Sequence, residues 1–136
     1  MSIRDFSAVE SQLQPTQPVD RQAVIAQLLQ TLASNDFAAL PQYLSENVQF
    51  QIYGFPALNG AWHGREAVVA ALTANFSRIS EQKTTLRGLV QQGDLLALRV
   101  HEAGQLEGTP YEVEAVFWMV FDGPVLSEIT EFVHCL

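Results

Sequence analysis

The sequence has little cysteine, little charge and few basic residues, and each shortage excludes a class of protein. Cys135 is the only cysteine among 136 residues, so an internal disulfide and a zinc site built from cysteines are excluded. Charged residues make up 16% of the chain, against roughly 25% in typical domains. The 15 acidic residues outnumber the 7 basic ones. Nucleic-acid binders need clustered Lys and Arg to displace counterions, so we predict no nucleic-acid partner.

The chain also has no long hydrophobic run and no apolar leader. No uncharged apolar stretch reaches the roughly 18 to 20 residues that span a bilayer. The first residues are charged early, at Arg4 and Asp5, and no apolar core follows them, unlike a secretory signal. We therefore expect no membrane association and a cytoplasmic location.

The first 18 residues differ in pattern from the rest of the chain. Their apolar residues recur at near-helical spacing, and Pro15 and Pro18 then end that pattern, because proline cannot donate within a helix. We interpret residues 1–18 as an N-terminal arm or short helix with a linker. Residues 19–136 are interpreted as one domain.

Three helices are predicted next. Asp20 can cap the first, over residues 21–32, where apolar residues form a wide stripe. Asp36 can cap a second helix, but Pro41 lies inside it, so that helix is short, irregular or begins later. The third is predicted over residues 65–79.

The second half of the chain is dominated by strand patterns. A loop around Trp62 and His63 is expected between the first strand and the third helix. Helices that come first and antiparallel strands that follow indicate an α+β fold. Alternating apolar, β-branched and aromatic residues predict strands over residues 48–53, 84–91, 95–103, 111–121 and 125–133.

Four stretches resemble the nuclear transport factor 2-like superfamily, and most closely its SnoaL-like and ketosteroid-isomerase-like branch. They are Gly60–Glu66 at the start of the third helix, Asn35–Leu40, the Phe121–Gly123 hairpin and the terminal Glu131–His134. The resemblance implies a cystatin-like α+β cone, in which a curved, mostly antiparallel sheet packs with three N-terminal helices around a pocket. It also implies a homodimer through the outer face of the sheet, with Val116, Trp118 and Val120 in the interface.

The steroid isomerases of this superfamily can be compared with the chain position by position. They use an aspartate base and an oxyanion hole made of a tyrosine and a protonated aspartate. The resemblance puts Leu28 at the tyrosine, Gln51 or a neighbour at the base, and Phe117 at the protonated aspartate. None of these replacements can perform the required step, so we expect no steroid isomerisation by that mechanism.

Glu131 and His134 are the candidate catalytic residues. Alternation along a strand puts Phe117 and Trp118 on opposite faces, and the resemblance turns Phe117 and Glu131 toward the pocket. An apolar pocket raises the pKa of a carboxyl group, which suits Glu131 to acid–base chemistry, although a structural buried acid is the alternative. His134 falls near the aspartate of SnoaL-like cyclases.

We expect the pocket to bind a small apolar molecule, ring-shaped ones included. Two functions stay open: an isomerase, cyclase or hydrolase that uses general acid–base catalysis, and a non-catalytic homodimer that binds a ligand or a protein. No metal and no cofactor is expected, because the three histidines are scattered and no glycine-rich phosphate loop precedes a helix. The residues expected to line the pocket are Leu28, Phe50, Ile52, Tyr53, Trp62, Phe117, Met119 and Ile129.

Overall fold

The computed structural model of the protein describes residues 3–10 and 21–136. The helices are α1 (Ser7–Glu10), α2 (Arg21–Ala33), a 3₁₀ helix (Phe37–Tyr43) and α3 (Arg65–Arg78). The strands are β1 (Arg4–Asp5), β2 (Leu44–Tyr53), β3 (Gly60–His63), β4 (Ile79–Gln92), β5 (Leu95–Leu106), β6 (Thr109–Asp122) and β7 (Val125–Cys135).

The strands form one curved sheet in the order β1-β4-β5-β6-β7-β2-β3. Most neighbours are antiparallel, whereas β1 runs parallel to β4 and β2 runs parallel to β7. The helices pack on the inner face of this sheet, and the core lies between the two layers. The predicted α+β class, with a curved and mostly antiparallel sheet, is confirmed.

Alternation along β6 turns its two aromatic neighbours to opposite sides. Phe117 belongs to the inner face, while the side chain of Trp118 is 40% exposed on the outer face. Alternation predicted opposite faces for these two residues, and the family resemblance implied that Phe117 is the inward one. The largest fully buried side chains on the inner side are Phe50, Ile25, Leu40, Leu44, Leu96 and Leu126.

The helix after Asp36 is short and irregular, as Pro41 indicated, but the predicted cap and the predicted loop around Trp62 were wrong. The segment after Asp36 forms a 3₁₀ helix, and the Asp36 side chain makes no capping hydrogen bond; Pro41 lies inside it and cannot donate to an α-helical ladder. The expected loop around Trp62 contains the short strand β3, which pairs Trp62 with Phe50 across the sheet. The predicted cap at Asp20 lies outside the described residues.

Residues 3–10 pack into the domain, although the sequence suggested a separate arm. The backbone of Arg4 pairs with that of Gln82 in β4. Its guanidinium donates to the carbonyl oxygens of Phe76 and Ile79, at the junction of α3 and β4. Phe6 and Val9 are buried in the core as a result. Within the described ranges, no helix combines the length and the apolar character that a membrane crossing requires.

Candidate functional site

A cavity of about 120 Å³ lies between the helices and the inner face of the sheet. An engineered cavity of about 150 Å³ lined by Leu, Ile and Phe binds benzene, so this one has the size for a single small ring or a short chain. Its aromatic wall consists of phenylalanines from five separate parts of the fold: Phe6, Phe50, Phe55, Phe76 and Phe117.

The cavity wall also contains a small set of polar side chains. Glu102 reaches it from β5 and Glu131 from β7, and Asn75 reaches it from α3. Gln82 and Thr84 come from the inner face of β4. An apolar pocket with a few placed polar groups is the usual form of a small-molecule site.

Glu102 is held by two hydroxyl donors. The Tyr111 hydroxyl donates to Glu102 Oε2 at 2.6 Å, and the Thr84 hydroxyl donates to Oε1 at 3.4 Å. Burial, followed by the charge and the hydrogen bond of Glu102, raises the pKa of Tyr111, so this phenol stays protonated as a donor. Arg4 also lies close enough for its positive charge to attract Glu102, although burial lowers the pKa of its guanidinium.

Glu131 is in a different environment from Glu102. Within the described part of the chain its carboxyl group has no hydrogen-bond partner. Burial raises the pKa of Glu131 to about 8, and the negative charge of Glu102 contributes to the same shift. At neutral pH Glu131 therefore carries a proton. Two acids whose surroundings differ in this way can take opposite roles in proton transfer.

The structure brings most of the predicted pocket residues together and places three elsewhere. Tyr53 lies on the outer face, 50% exposed, because its neighbour Ile52 points inward. Trp62 stacks on Phe50 with ring centroids 5.2 Å apart but does not reach the cavity. His134 is exposed at the end of β7 because it follows the inward Val133. The predicted residues that do line the cavity are Leu28, Phe50, Ile52, Phe117, Met119, Ile129 and Glu131.

Sequence reasoning missed the other polar residues of the cavity. Glu102 could have been found, because Leu98 and Val100 precede it at alternate positions of the same inward row of β5. Gln82 could not have been found from the sequence, because the register of β4 is irregular at Glu81, where φ is 52°. Such a bulge shifts the phase of the alternation. No signal marked Asn75 on α3.

Among residues 3–10 and 21–136, no group of three or more His, Cys, Asp or Glu side chains is arranged to hold a metal ion. The polar groups of the cavity are carboxyl, amide and hydroxyl groups.

The fold and its cavity define a pocket-bearing domain of the nuclear transport factor 2-like type. The chain belongs to the SnoaL-like domain family, whose sequence model matches residues 25–129. Among curated proteins, none matches the sequence significantly.

Solved structures share this fold at low sequence identity. A nuclear transport factor 2-like protein from Burkholderia xenovorans LB400 is 18% identical, with a TM-score of 0.70 over 88% of this chain and 92% of that one. An LEH-like epoxide hydrolase from M. tuberculosis is 12% identical, with a TM-score of 0.67 over 82% of this chain and 80% of that one. A steroid delta-isomerase from Pseudomonas aeruginosa is 15% identical, with a TM-score of 0.65 over 88% of this chain and 82% of that one. The family thus shares its fold with isomerases and hydrolases.

Proposed function

We propose that this protein is an enzyme that performs general acid–base chemistry on a small, neutral, largely apolar molecule held in the cavity. One observation carries the proposal: two carboxyl groups, Glu102 and Glu131, line the same small apolar cavity in different surroundings. Glu102 accepts hydrogen bonds from two hydroxyl groups, and Glu131 is desolvated without a partner. A buried carboxyl group whose pKa is raised, as that of Glu131 is, is typical of catalytic sites.

The two acids have complementary roles in this mechanism. Glu131 enters the reaction protonated and donates its proton to an oxygen of the substrate. Glu102 is the proton acceptor. In the hydrolysis of an epoxide it takes a proton from the water whose oxygen attacks a ring carbon, while the ring C–O bond breaks and Glu131 protonates the leaving oxygen; exchange with solvent then restores both acids. In an isomerisation it takes a proton from the α-carbon and returns it to the γ-carbon, while the oxygen gains the proton of Glu131 and gives it back. Tyr111 and Thr84 orient Glu102 through their hydroxyl groups. His134 has no part in this mechanism, because its side chain is exposed away from the cavity.

The size of the cavity limits the substrate. A volume of about 120 Å³ suits one six-membered ring, whereas a four-ring steroid is several times larger than benzene. The residues that replace the isomerase machinery, Leu28 and Phe117, are part of the apolar wall. The proposed substrate is therefore a single ring or short chain that carries an oxygen, such as a small epoxide or enone.

Turnover of such a substrate is expected to depend on Glu131. Suitable assay reactions are the hydrolysis of cyclohexene oxide and the isomerisation of 3-cyclohexenone, each followed by gas chromatography. Glu131→Gln keeps the shape of the side chain but removes the proton donor, so kcat should fall about 10²- to 10⁴-fold. Glu102→Gln should lower kcat as well.

Glu128→Gln is the matched control, because Glu128 lies on the same strand and is absent from the cavity wall. This variant should retain the activity of the unmodified protein. Full activity in Glu131→Gln would contradict the role of Glu131. Absence of turnover in both reactions, together with binding of the ring compounds, would favour a non-catalytic binding protein.

We also propose that the protein is a homodimer formed through the outer face of the sheet. Val90, Trp118, Phe132 and Tyr53 are large apolar side chains between 40% and 61% exposed. The cross-strand register places Val90 and Trp118 in one row, with Ala97 between them, and places Phe132 and Tyr53 in the next. Such a contiguous apolar area is unusual for a monomer.

Sedimentation velocity at micromolar concentration is expected to show a dimer. Trp118→Glu introduces a charge at the centre of the apolar area and should shift the population to monomer, because desolvating an unpaired charge is costly. Ile3→Glu, at an exposed apolar residue on the N-terminal segment, should leave the dimer intact. A monomeric unmodified protein would contradict the proposal.

A further inference from the structure

Two amide side chains on the cavity wall have a buried polar atom without a partner. These atoms are Asn75 Nδ2, a hydrogen-bond donor, and Gln82 Oε1, an acceptor, and neither has a hydrogen-bond partner in the described ranges. Gln82 is only 3% exposed. Buried polar groups are nearly always paired, and leaving one unpaired is costly. Both residues belong to the wall of the cavity.

The charges around the cavity favour a neutral ligand. Among the residues that the structure describes, no lysine or arginine lines the cavity, so this part of the wall offers an anion no counter-charge. A cation would meet Glu102, but that carboxylate already accepts bonds from Tyr111 and Thr84, and it attracts the buried Arg4. The polar groups of the wall that still lack a partner are therefore the amide donor of Asn75, the amide acceptor of Gln82 and the carboxyl group of Glu131, to which the proposed mechanism already gives the proton transfer.

We propose that Asn75 and Gln82 form a subsite for a hydroxyl group on the small molecule in the cavity. A hydroxyl both accepts and donates a hydrogen bond, so it can satisfy Asn75 Nδ2 and Gln82 Oε1 together while the apolar body of the ligand lies against the phenylalanine wall. The inference rests on the proposed function in one respect: it needs the cavity to take a small neutral molecule. It adds that the ligand carries a hydroxyl group besides the oxygen that reacts.

Phenol and toluene are suitable probes, because they differ only in a hydroxyl and a methyl group of similar size. Their dissociation constants for the full chain can be measured by NMR titration near pH 7, where phenol is neutral. The ratio of the two constants should change about tenfold when Gln82→Met removes the acceptor. Phenol should lose affinity, and toluene should bind as before.

Asn75→Leu provides an independent second variant and should change the ratio in the same direction. Gln92→Met is the control, since Gln92 lies on the same strand and is exposed outside the cavity. Circular dichroism establishes that each variant is folded.

An unchanged phenol-to-toluene ratio in both variants would overturn the hydroxyl subsite while the cavity site itself stands. Failure of the unmodified protein to bind either probe would overturn the small-molecule cavity site and the subsite together.

Discussion

The free energy of unfolding is expected to fall as the pH rises from about 5 to about 9, and Glu131→Gln is expected to remove most of that fall. The cause is the burial of Glu131, which raises its pKa to about 8 from an ordinary value of 4.5. Between these values the unfolded chain releases the proton of Glu131, whereas the native protein retains it. The native state then binds more protons than the unfolded state, so stability decreases with increasing pH.

The stabilisation from Glu131 is fully present below about pH 4.5 and is lost by the time the pH passes about 8. Each unit between the two pKa values corresponds to about 1.4 kcal/mol, so the total loss is on the order of 5 kcal/mol. Urea unfolding at several pH values measures it. Comparing each variant with the unmodified protein removes the contribution of overall charge repulsion, and Glu128→Gln should keep the slope. Parallel pH profiles for Glu131→Gln and the unmodified protein would contradict the expected burial.

A second large effect is expected at Gly54, where β2 ends beside β7. Its φ of +85° favours glycine, and a Cβ atom there would lie 1.9 Å from the carbonyl oxygen of Val133. Gly54→Ala must therefore push β2 away from β7 in addition to straining the backbone. We expect a loss of more than about 3 kcal/mol in the free energy of unfolding, measured by urea denaturation.

Gly93→Ala separates the two causes of this loss. Gly93 also has a positive φ, +57°, but no heavy atom lies within 4 Å of the position of an added Cβ. Its replacement should cost only the backbone strain, about 1 to 2 kcal/mol. Equal losses at Gly54 and Gly93 would show that the contact with Val133 is unimportant.

Much of the fold could be predicted because its signals are local. Helical periodicity located α2 and α3, and strand alternation located β2 and the four long strands that follow α3. Alternation also separated Phe117 from Trp118, and it needs only the neighbouring residues of one strand. A short or irregular helix was predicted after Asp36, but its 3₁₀ type was not, and β3 was not predicted because its local pattern resembles a loop. Their conformation depends on packing against β2 and the core.

The candidate site was harder to predict from the sequence than the fold was. Glu131 was identified through its strand and the family resemblance, and the same alternation applied to β5 would have added Glu102. Asn75 and Gln82 could not be found in that way, because one lies on a helix and the other beside a bulge. Tyr53 was predicted in the pocket together with its neighbour Ile52, although alternation along β2 puts adjacent side chains on opposite faces.

The way Arg4 anchors the first residues has a practical consequence for anyone who shortens or extends this protein. Phe6 and Val9 close one side of the cavity, and they reach it only because β1 is fastened to β4 and to the end of α3. A chain that begins at residue 21 would keep the whole region matched by the family, 25–129, but would lack Phe6 and Val9. Its cavity would be open to solvent on that side. A chain cut at the boundaries of the family match would therefore lack part of the cavity wall and would be unsuitable for ligand-binding measurements.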